Sequence, residues 1–484
     1  MALDRLDAVV IGAGVEGLVA AAALAVAGRS VAVIERKAET APLDGNGDAV
    51  VNLALARELD LTAHGLRFAA APPIIGVSSD RALVVWPELR AAQASIANVS
   101  ARDAEALEGF YARLARAAVV NGGQSPVAWL TSSATAAPSD STFFALASVA
   151  RILEETFDSE VVKGLWAQGA VMGTGASPLA PGSGVLLARQ TLLAGASPDS
   201  GHRFVAGGAQ KLRQALLALL KFYNNADVLF RSEAKELTTE REAVQAVLLT
   251  DGNTLRAPLV ISTLSGEASR SLVTGLRKPL APTSAVEAVV EPAQVKLTIS
   301  ALPKLAGVDA ATLASGAIVR LMPSIARLAK AHGAFRSHSL SADPCLDMRV
   351  MARDGKRWDV LVSMPYVPVT TVEGPWTGAR RDKIRTLAVR AIDTLAPGFG
   401  ATIESAEVFS PPESPTVMDA RGAEALMAKV AFDLTAVPEV RAARATTPVK
   451  GLAVLEPSIY GGHGDAGLAA ADAAAPRSKA RADA

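Results

Sequence analysis

Apolar residues fall into short unbroken runs near the start of the chain and into alternating or helical patterns further on. Val9, Val10 and Ile11 form the first run, and a long Ala-rich stretch opens just past Gly17. Between the two stands Gly12-Ala13-Gly14-Val15-Glu16-Gly17. An apolar run, Gly-x-Gly-x-x-Gly and a small-residue helix is the order of a buried strand, a tight turn and a helix start facing a phosphate. Gly12 permits the turn, Gly14 lets the backbone close on a diphosphate, and Gly17 lets the helix lie against the strand. Free N–H groups of the first helical turn and the helix dipole then favour an anion. Ala13 lies inside that turn. The Glu16 side chain reads as a solvated helix residue whose backbone N–H still points at the phosphate.

The next run, Ser30-Val31-Ala32-Val33-Ile34, predicts a second buried strand, and it ends in Glu35. An acid about 20 residues past the fingerprint sits where a carboxylate accepts both ribose hydroxyls of a dinucleotide. A 2′-phosphate would be repelled by Glu35, which disfavours NADP even with Arg36 beside it. An ordinary glycine-rich strand–turn–helix is the plain alternative. It does not explain why the three glycines, the small helix residues and the terminal acid occur in register.

Downstream, Arg36 to Gly47 reads as a polar loop and 49–60 as helix-like, with 61–68 leading outward. Ser100 reads as the N-cap of a helix running to about 119. Residues 121–142 read as a loop and 142–170 as a helical pair. At Phe204-Val205-Ala206-Gly207-Gly208 the organisation changes: an amphipathic helix from Lys211 to about Tyr223 is followed by short strands. These include Val228–Phe230, a hairpin around Glu240, Val244–Thr250 and Leu259–Ser262. This is a second nucleotide-domain block, so the stretch between the blocks is inserted. Gln294–Ile299 and Trp358–Ser363 read as strands and Arg380–Leu395 as a long helix. Gly451–Leu455 precedes a helix at about 466–475, and 476–484 reads as a frayed tail.

Composition narrows the function. A chain of 484 residues suggests two or three domains. Lys plus Arg and Asp plus Glu are equal at 48 each, so no field steers the protein to nucleic acid. One cysteine, Cys345, excludes an internal disulfide and a cysteine zinc site, and the five histidines show no ligand spacing. The single thiol fits a reducing, cytoplasmic compartment. No secretory signal is expected, because the first apolar run is already the nucleotide strand. Residues 164–188 carry no charge, but their glycines and prolines argue for a buried, loop-rich region rather than a membrane span.

Taken together, the chain resembles the phytoene desaturase-like FAD-dependent oxidoreductases of the amine-oxidase-like flavoprotein group. More narrowly it is similar to the branch labelled pyridine nucleotide-disulfide oxidoreductase domain protein 2. The resemblance rests on the fingerprint through Glu35-Arg36, on Leu61–Leu66, and on Gly173-Thr174-Gly175-Ala176-Ser177-Pro178. It extends through Phe204–Gly208, Leu361–Pro368, Leu395–Phe399 and Gly451-Leu452 with the terminal glycine cluster. Only the fingerprint is specific by itself; the order and spacing of the blocks carry the rest. The resemblance implies an α/β (α+β overall) fold with a Rossmann-type FAD-binding domain built from discontinuous segments. A substrate-binding domain with a mixed sheet and helices completes it. The boundaries so implied are 1–70, 204–290 and 401–475 for FAD, and 71–203 and 291–400 for substrate. It further implies a long apolar substrate such as a polyene, hydride transfer to flavin, and a quinone or oxygen as electron acceptor. An apolar substrate is compatible with peripheral contact with a membrane. No catalytic residue, metal or oligomeric state follows from the sequence.

Two departures from the family pattern stand out. The Gly-Gly pair usual after the acid and arginine is represented by separated Gly45 and Gly47, and Glu456-Pro457-Ser458 replaces a Gly-x-Gly stretch. A side chain at a ligand-touching glycine occupies volume that the ligand needs. Gly464 and Asp465 keep part of the helix-start pattern; Asp465 reads equally as an acceptor for ribityl hydroxyls and as an N-cap. His463 reads as a loop histidine or as a proton shuttle near a flavin. Two other functions therefore stand beside the desaturase or dehydrogenase. One is a flavoprotein-fold relative with weakened or lost FAD binding that acts as a scaffold or lipid-binding protein. The other is a flavin amine oxidase, for which aromatic residues at 4% give little sign of an amine-binding cage.

Overall fold

The computed structural model describes residues 6–41, 49–118, 143–144, 146–184, 186–187, 202–264, 266–273, 292–368, 371–410 and 449–455. The expected loop at 121–142, Gly45, Gly47, Glu456, His463, Gly464, Asp465, the helix at 466–475 and the tail lie outside them. The chain forms two compact units, each drawn from separated stretches. The first falls within Met1–Ala70, Leu193–Glu287 and Ala436–Ala484, and the second within Ala71–Leu192 and Ala288–Thr435.

The first unit is organised by a five-stranded parallel sheet. Its strands are β1 (Ala8–Ile11), β2 (Val31–Glu35), β3 (Ala226–Phe230), β4 (Val260–Ser262) and β5 (Leu452–Val454). In space they run β5-β4-β1-β2-β3, so strands from three distant stretches of chain lie side by side. A strand alternates its side chains between faces, and both faces here are covered. Ala8, Val10, Val31 and Val33 point to one side, where they meet helices α1 (Val15–Val26) and α2 (Gly208–Phe222). Val9, Ile11, Ala32 and Ile34 point to the other and meet Leu237, Val247, Leu249 and Leu255. Those four belong to an antiparallel three-stranded sheet, Ala234–Glu240, Ala243–Leu249 and Thr254–Arg256. Unbroken apolar runs in β1 and β2 are thus what burial on both faces requires.

The expectation of a helix over 49–60 is corrected. Val50–Asn52 is a strand, and the helix begins only at Leu53. Two adjacent valines favour extended backbone. Asn52 then caps the helix, its Oδ1 accepting from the Ala54 N–H at 2.8 Å. That strand pairs with His202–Val205, so residues 202 and 203 join the first unit and not the 71–203 stretch.

The second unit carries a seven-stranded mixed sheet. Its strand order is Ile403–Phe409, Ala293–Ile299, Trp358–Met364, Leu346–Ala352, Ile318–Leu321, Ile74–Val77 and Ala82–Val85. The assignment of 401–475 to the nucleotide block fails at its start. Ile403–Phe409 is an edge strand of this sheet, paired antiparallel with Ala293–Ile299. One sheet face, with Val295, Leu297, Met348, Val360 and Val362, packs on Ile384, Ala388 and Ile392 of helix Gly378–Leu395. Ser100 caps its helix as expected, accepting from the Asp103 N–H at 3.1 Å.

The charge-free stretch after residue 164 is only partly loop, since helix Glu160–Val171 runs through its first third. Gly164 is needed there: a Cβ would stand 2.3 Å from the Pro323 carbonyl oxygen. Among the described residues no helix is long and apolar enough to cross a membrane.

Candidate functional site: a dinucleotide cleft

A cleft of ≈ 490 Å³ opens at the C-terminal ends of β1 and β2, within the size range of small-molecule sites. Each glycine of the turn behaves differently there. Gly12 has φ of +104°, and a Cβ on it would lie 2.1 Å from Thr263 Oγ1. Thr263 itself donates through Oγ1 to the Ile11 carbonyl at 2.8 Å, which locks β4 to the turn. Gly17 faces inward: its Cβ would lie 2.1 Å from the Gly12 carbonyl oxygen, so helix α1 rests directly on the turn. Gly14 is the N-cap of α1, with extended backbone, no side-chain cap, and nothing within 4 Å of a Cβ. A helix N-terminus with an open, side-chain-free cap offers N–H donors to an anion.

Glu35 ends β2 with its carboxylate in the cleft. Oε2 accepts from the Ala13 N–H and Oε1 from the Lys37 N–H, both at 2.8 Å. Two backbone donors therefore set the carboxylate's orientation, and its remaining lone pairs can still accept ribose hydroxyls. Arg36 and Lys37 also line the cleft, Arg36 from an exposed position. Of the residues singled out from sequence, Gly12, Ala13, Gly14, Glu35 and Arg36 meet at the cleft; Glu16 and Gly17 are not part of its lining.

Arg213 was not singled out, yet it is central. It projects from α2, is 3% exposed, and lines the cleft. Its Nε donates to the Ala13 carbonyl at 3.1 Å and its Nη1 to the Glu39 carbonyl at 2.9 Å. Its Cζ lies 5.7 Å from the centre of the Phe230 ring. The sequence did hold a signal. Ala209, Leu212, Leu216 and Leu220 form the buried stripe of α2, and Arg213 falls inside that stripe. Ser232 and Thr263, which also line the cleft, carry no comparable local signal.

This arrangement is built to bind. Among the described residues no group of acids, histidines and cysteines could hold a metal ion. The features present fit the adenosine-diphosphate half of a dinucleotide: an open glycine cap, a helix N-terminus and an acid at the end of the second strand.

In the second unit, Arg320 and Asp347 form a buried pair. Arg320 Nη1 donates to the Leu165 carbonyl at 2.6 Å, and its Nε stands 3.7 Å from Asp347 Oδ1. Gln168 Nε2 donates to Asp347 Oδ1 at 2.7 Å. Burial pushes the Asp347 carboxyl up from its ordinary value and the Arg320 guanidinium down, each opposed by the attraction of the other.

No known protein-family profile matches the chain. Over 324 residues it is 26% identical to the mouse pyridine nucleotide-disulfide oxidoreductase domain-containing protein 2, covering 54% of each. The chain thus spans about half the length of the curated relatives it matches. Among solved structures, an oxidoreductase from Methanosarcina mazei aligns with a TM-score of 0.54 and 15% identity, over 96% of this chain and 98% of that one. Cyclohexylamine oxidase from Brevibacterium oxydans aligns with a TM-score of 0.52 and 14% identity, over 97% of both chains. These likenesses establish the fold: a Rossmann-type nucleotide domain of discontinuous segments with a second, mixed-sheet domain.

Proposed function

We propose that the protein is a FAD-dependent oxidoreductase. The observation that carries this is the Gly12–Gly14 turn, with its open helix cap, facing the same cleft as the Glu35 carboxylate. In this reading Glu35 accepts the adenosine ribose hydroxyls, and the N–H groups at the start of α1 receive the diphosphate. Ala13 and Lys37 keep the Glu35 carboxylate turned into the cleft, and Gly14 leaves the space that a side chain would fill. Bound flavin supplies hydride uptake from carbon, a chemistry that no protein side chain provides. The mouse relative's printed name, an oxidoreductase domain-containing protein, supports the reaction class.

The finer reading is desaturation or dehydrogenation of a lipophilic, polyene- or isoprenoid-like substrate, with a quinone or oxygen as electron acceptor. Its support is the ordered series of sequence blocks shared with phytoene desaturase-like enzymes. A second reading, amine oxidation, draws its support from the structural likeness to cyclohexylamine oxidase.

The purified protein should be yellow, with a flavin absorption band that reductant bleaches, and should release FAD on denaturation, identified by mass spectrometry. A colourless protein that takes up no FAD on reconstitution overturns the proposal. Peroxide release from an amine panel separates the two substrate readings.

A further inference from the structure

Among the described residues, the buried guanidinium of Arg213 meets no acid. Its hydrogen-bond acceptors are the neutral carbonyls of Ala13 and Glu39, and its Cζ lies 5.7 Å from the centre of the Phe230 ring. No carboxylate among the described residues pairs with it. The Glu39 carboxylate goes to Lys221 at 2.6 Å, and the Glu35 carboxylate accepts the Ala13 and Lys37 N–H groups. A cation removed from water normally acquires an anionic partner, because carbonyl dipoles replace only part of its hydration.

The direction of that missing partner is given by the cleft. Arg213 lines it beside Gly12 and Gly14, where the N-terminus of α1 also favours negative charge. Arg has five N–H donors, and two of them are used on the carbonyls. The three N–H donors that remain, on Nη1 and Nη2, suit the oxygens of the diphosphate, the one anionic group of the dinucleotide. A residue needed only to tie the turn to the loop would require donors but no charge. We propose that Arg213 is a phosphate-recognition residue: it pairs with a diphosphate oxygen of the bound dinucleotide and makes the cleft select nucleotides over nucleosides. The inference rests on the dinucleotide reading of the same cleft, and the charge pattern deepens it. Glu35 marks the ribose end and Arg213 the phosphate end, so the two fix which way the ligand lies.

The test uses the full chain stripped of flavin, with ADP and adenosine as probes in titration calorimetry at low salt. The wild-type protein is compared with Arg213→Met and Arg213→Lys, and thermal unfolding of each ligand-free protein is recorded. Wild type should bind ADP more tightly than adenosine. Arg213→Met should weaken ADP about 10- to 100-fold while leaving adenosine within about two-fold, the size expected for a charged hydrogen bond. Arg213→Lys, which keeps the charge and loses the fork, should fall between and retain more of the salt dependence. Equal losses for ADP and adenosine would show a loop strap and overturn the proposal, as would an unchanged ADP affinity. If Arg213→Met does not fold, the ADP-to-adenosine ratio of Arg213→Lys decides on the same terms. Failure of the wild-type protein to bind ADP or FAD sinks the dinucleotide reading itself, before any variant is made.

Discussion

Glu35 and Arg213 hold the same residue from opposite ends. The Glu35 carboxylate accepts the Ala13 N–H at 2.8 Å, and the Arg213 guanidinium donates to the Ala13 carbonyl at 3.1 Å. One residue is at the end of β2 and the other lies on a helix far along the chain, yet together they set the peptide planes of the glycine turn. The cleft is therefore preorganised by charged groups that also face it.

Replacing Glu35 by Gln leaves one acceptor oxygen where two N–H donors require two. One of them, from Ala13 or Lys37, then meets an amide N–H instead. The ligand-free protein should lose about 1–3 kcal/mol, as expected for a part-buried donor left unsatisfied. Urea unfolding measures that loss, and FAD titration of the same variant should show weaker binding.

The three glycines should separate by experiment. Gly17→Ala sets a methyl against the Gly12 carbonyl, which is backbone and cannot swing aside. A loss of about 1–3 kcal/mol or more is expected from overpacking. Gly12→Ala adds backbone strain at φ of +104° to its clash with Thr263. Gly14→Ala meets nothing and gives up only the preference of the N-cap for Gly over Ala, so its ligand-free stability should stay within about 1 kcal/mol of wild type while FAD affinity falls. Equal destabilisation across the three would contradict this division of labour.

Cys345 is fully buried, and burial pushes its thiol up from 9.0 to about 12 despite the nearby Arg327. The folded chain holds this proton more tightly than the unfolded chain. The thiol's contribution to stability is thus complete below pH 9 and is lost as pH rises toward 12. Stability of the wild type should fall relative to Cys345→Ala by about 1.4 kcal/mol per pH unit across that window. Denaturant titrations from pH 8 upward measure the difference. At pH 8 the native thiol should resist alkylation and react only on unfolding.

For the Arg320–Asp347 pair, removing one partner strands the other in the interior. Arg320→Met should cost about 3–5 kcal/mol in denaturant unfolding. The double replacement Arg320→Met/Asp347→Leu should recover much of that loss, because neither charge is then left unpaired. A double variant as unstable as the sum of the singles would show that the pair does not act as a unit.

What could be read from the chain was what local chemistry determines. The strand–turn–helix from Val9 onward, the strand ending at Glu35 and the Ser100 cap each depend on residues a few positions apart. Val50–Asn52 is ambiguous in sequence, because two valines before a helix fit either period until a partner strand is known. Ile403–Phe409 is ambiguous for the same reason: an edge strand with mostly exposed side chains carries no mark of which sheet it joins. Arg213 shows the third kind of limit. Its place in an apolar stripe was visible, but its meaning depends on Ala13 and Glu39, which are remote in sequence.

The sheet assembled from three distant stretches governs how this protein must be made. The cleft needs residues from Ile11 through Leu272, and Ala71–Leu192 of the other unit is synthesised between them. Within that inserted stretch Ile74–Val77 has Ala82–Val85 as one neighbour but waits for Ile318–Leu321 as the other. Neither unit can close as the ribosome delivers it, and each holds half-finished edges while the other is translated. Such long-range pairing makes for slow folding. The nascent chain therefore passes through a long interval of exposed strand edges, in which chaperones have more to protect than in a protein whose domains emerge one after the other.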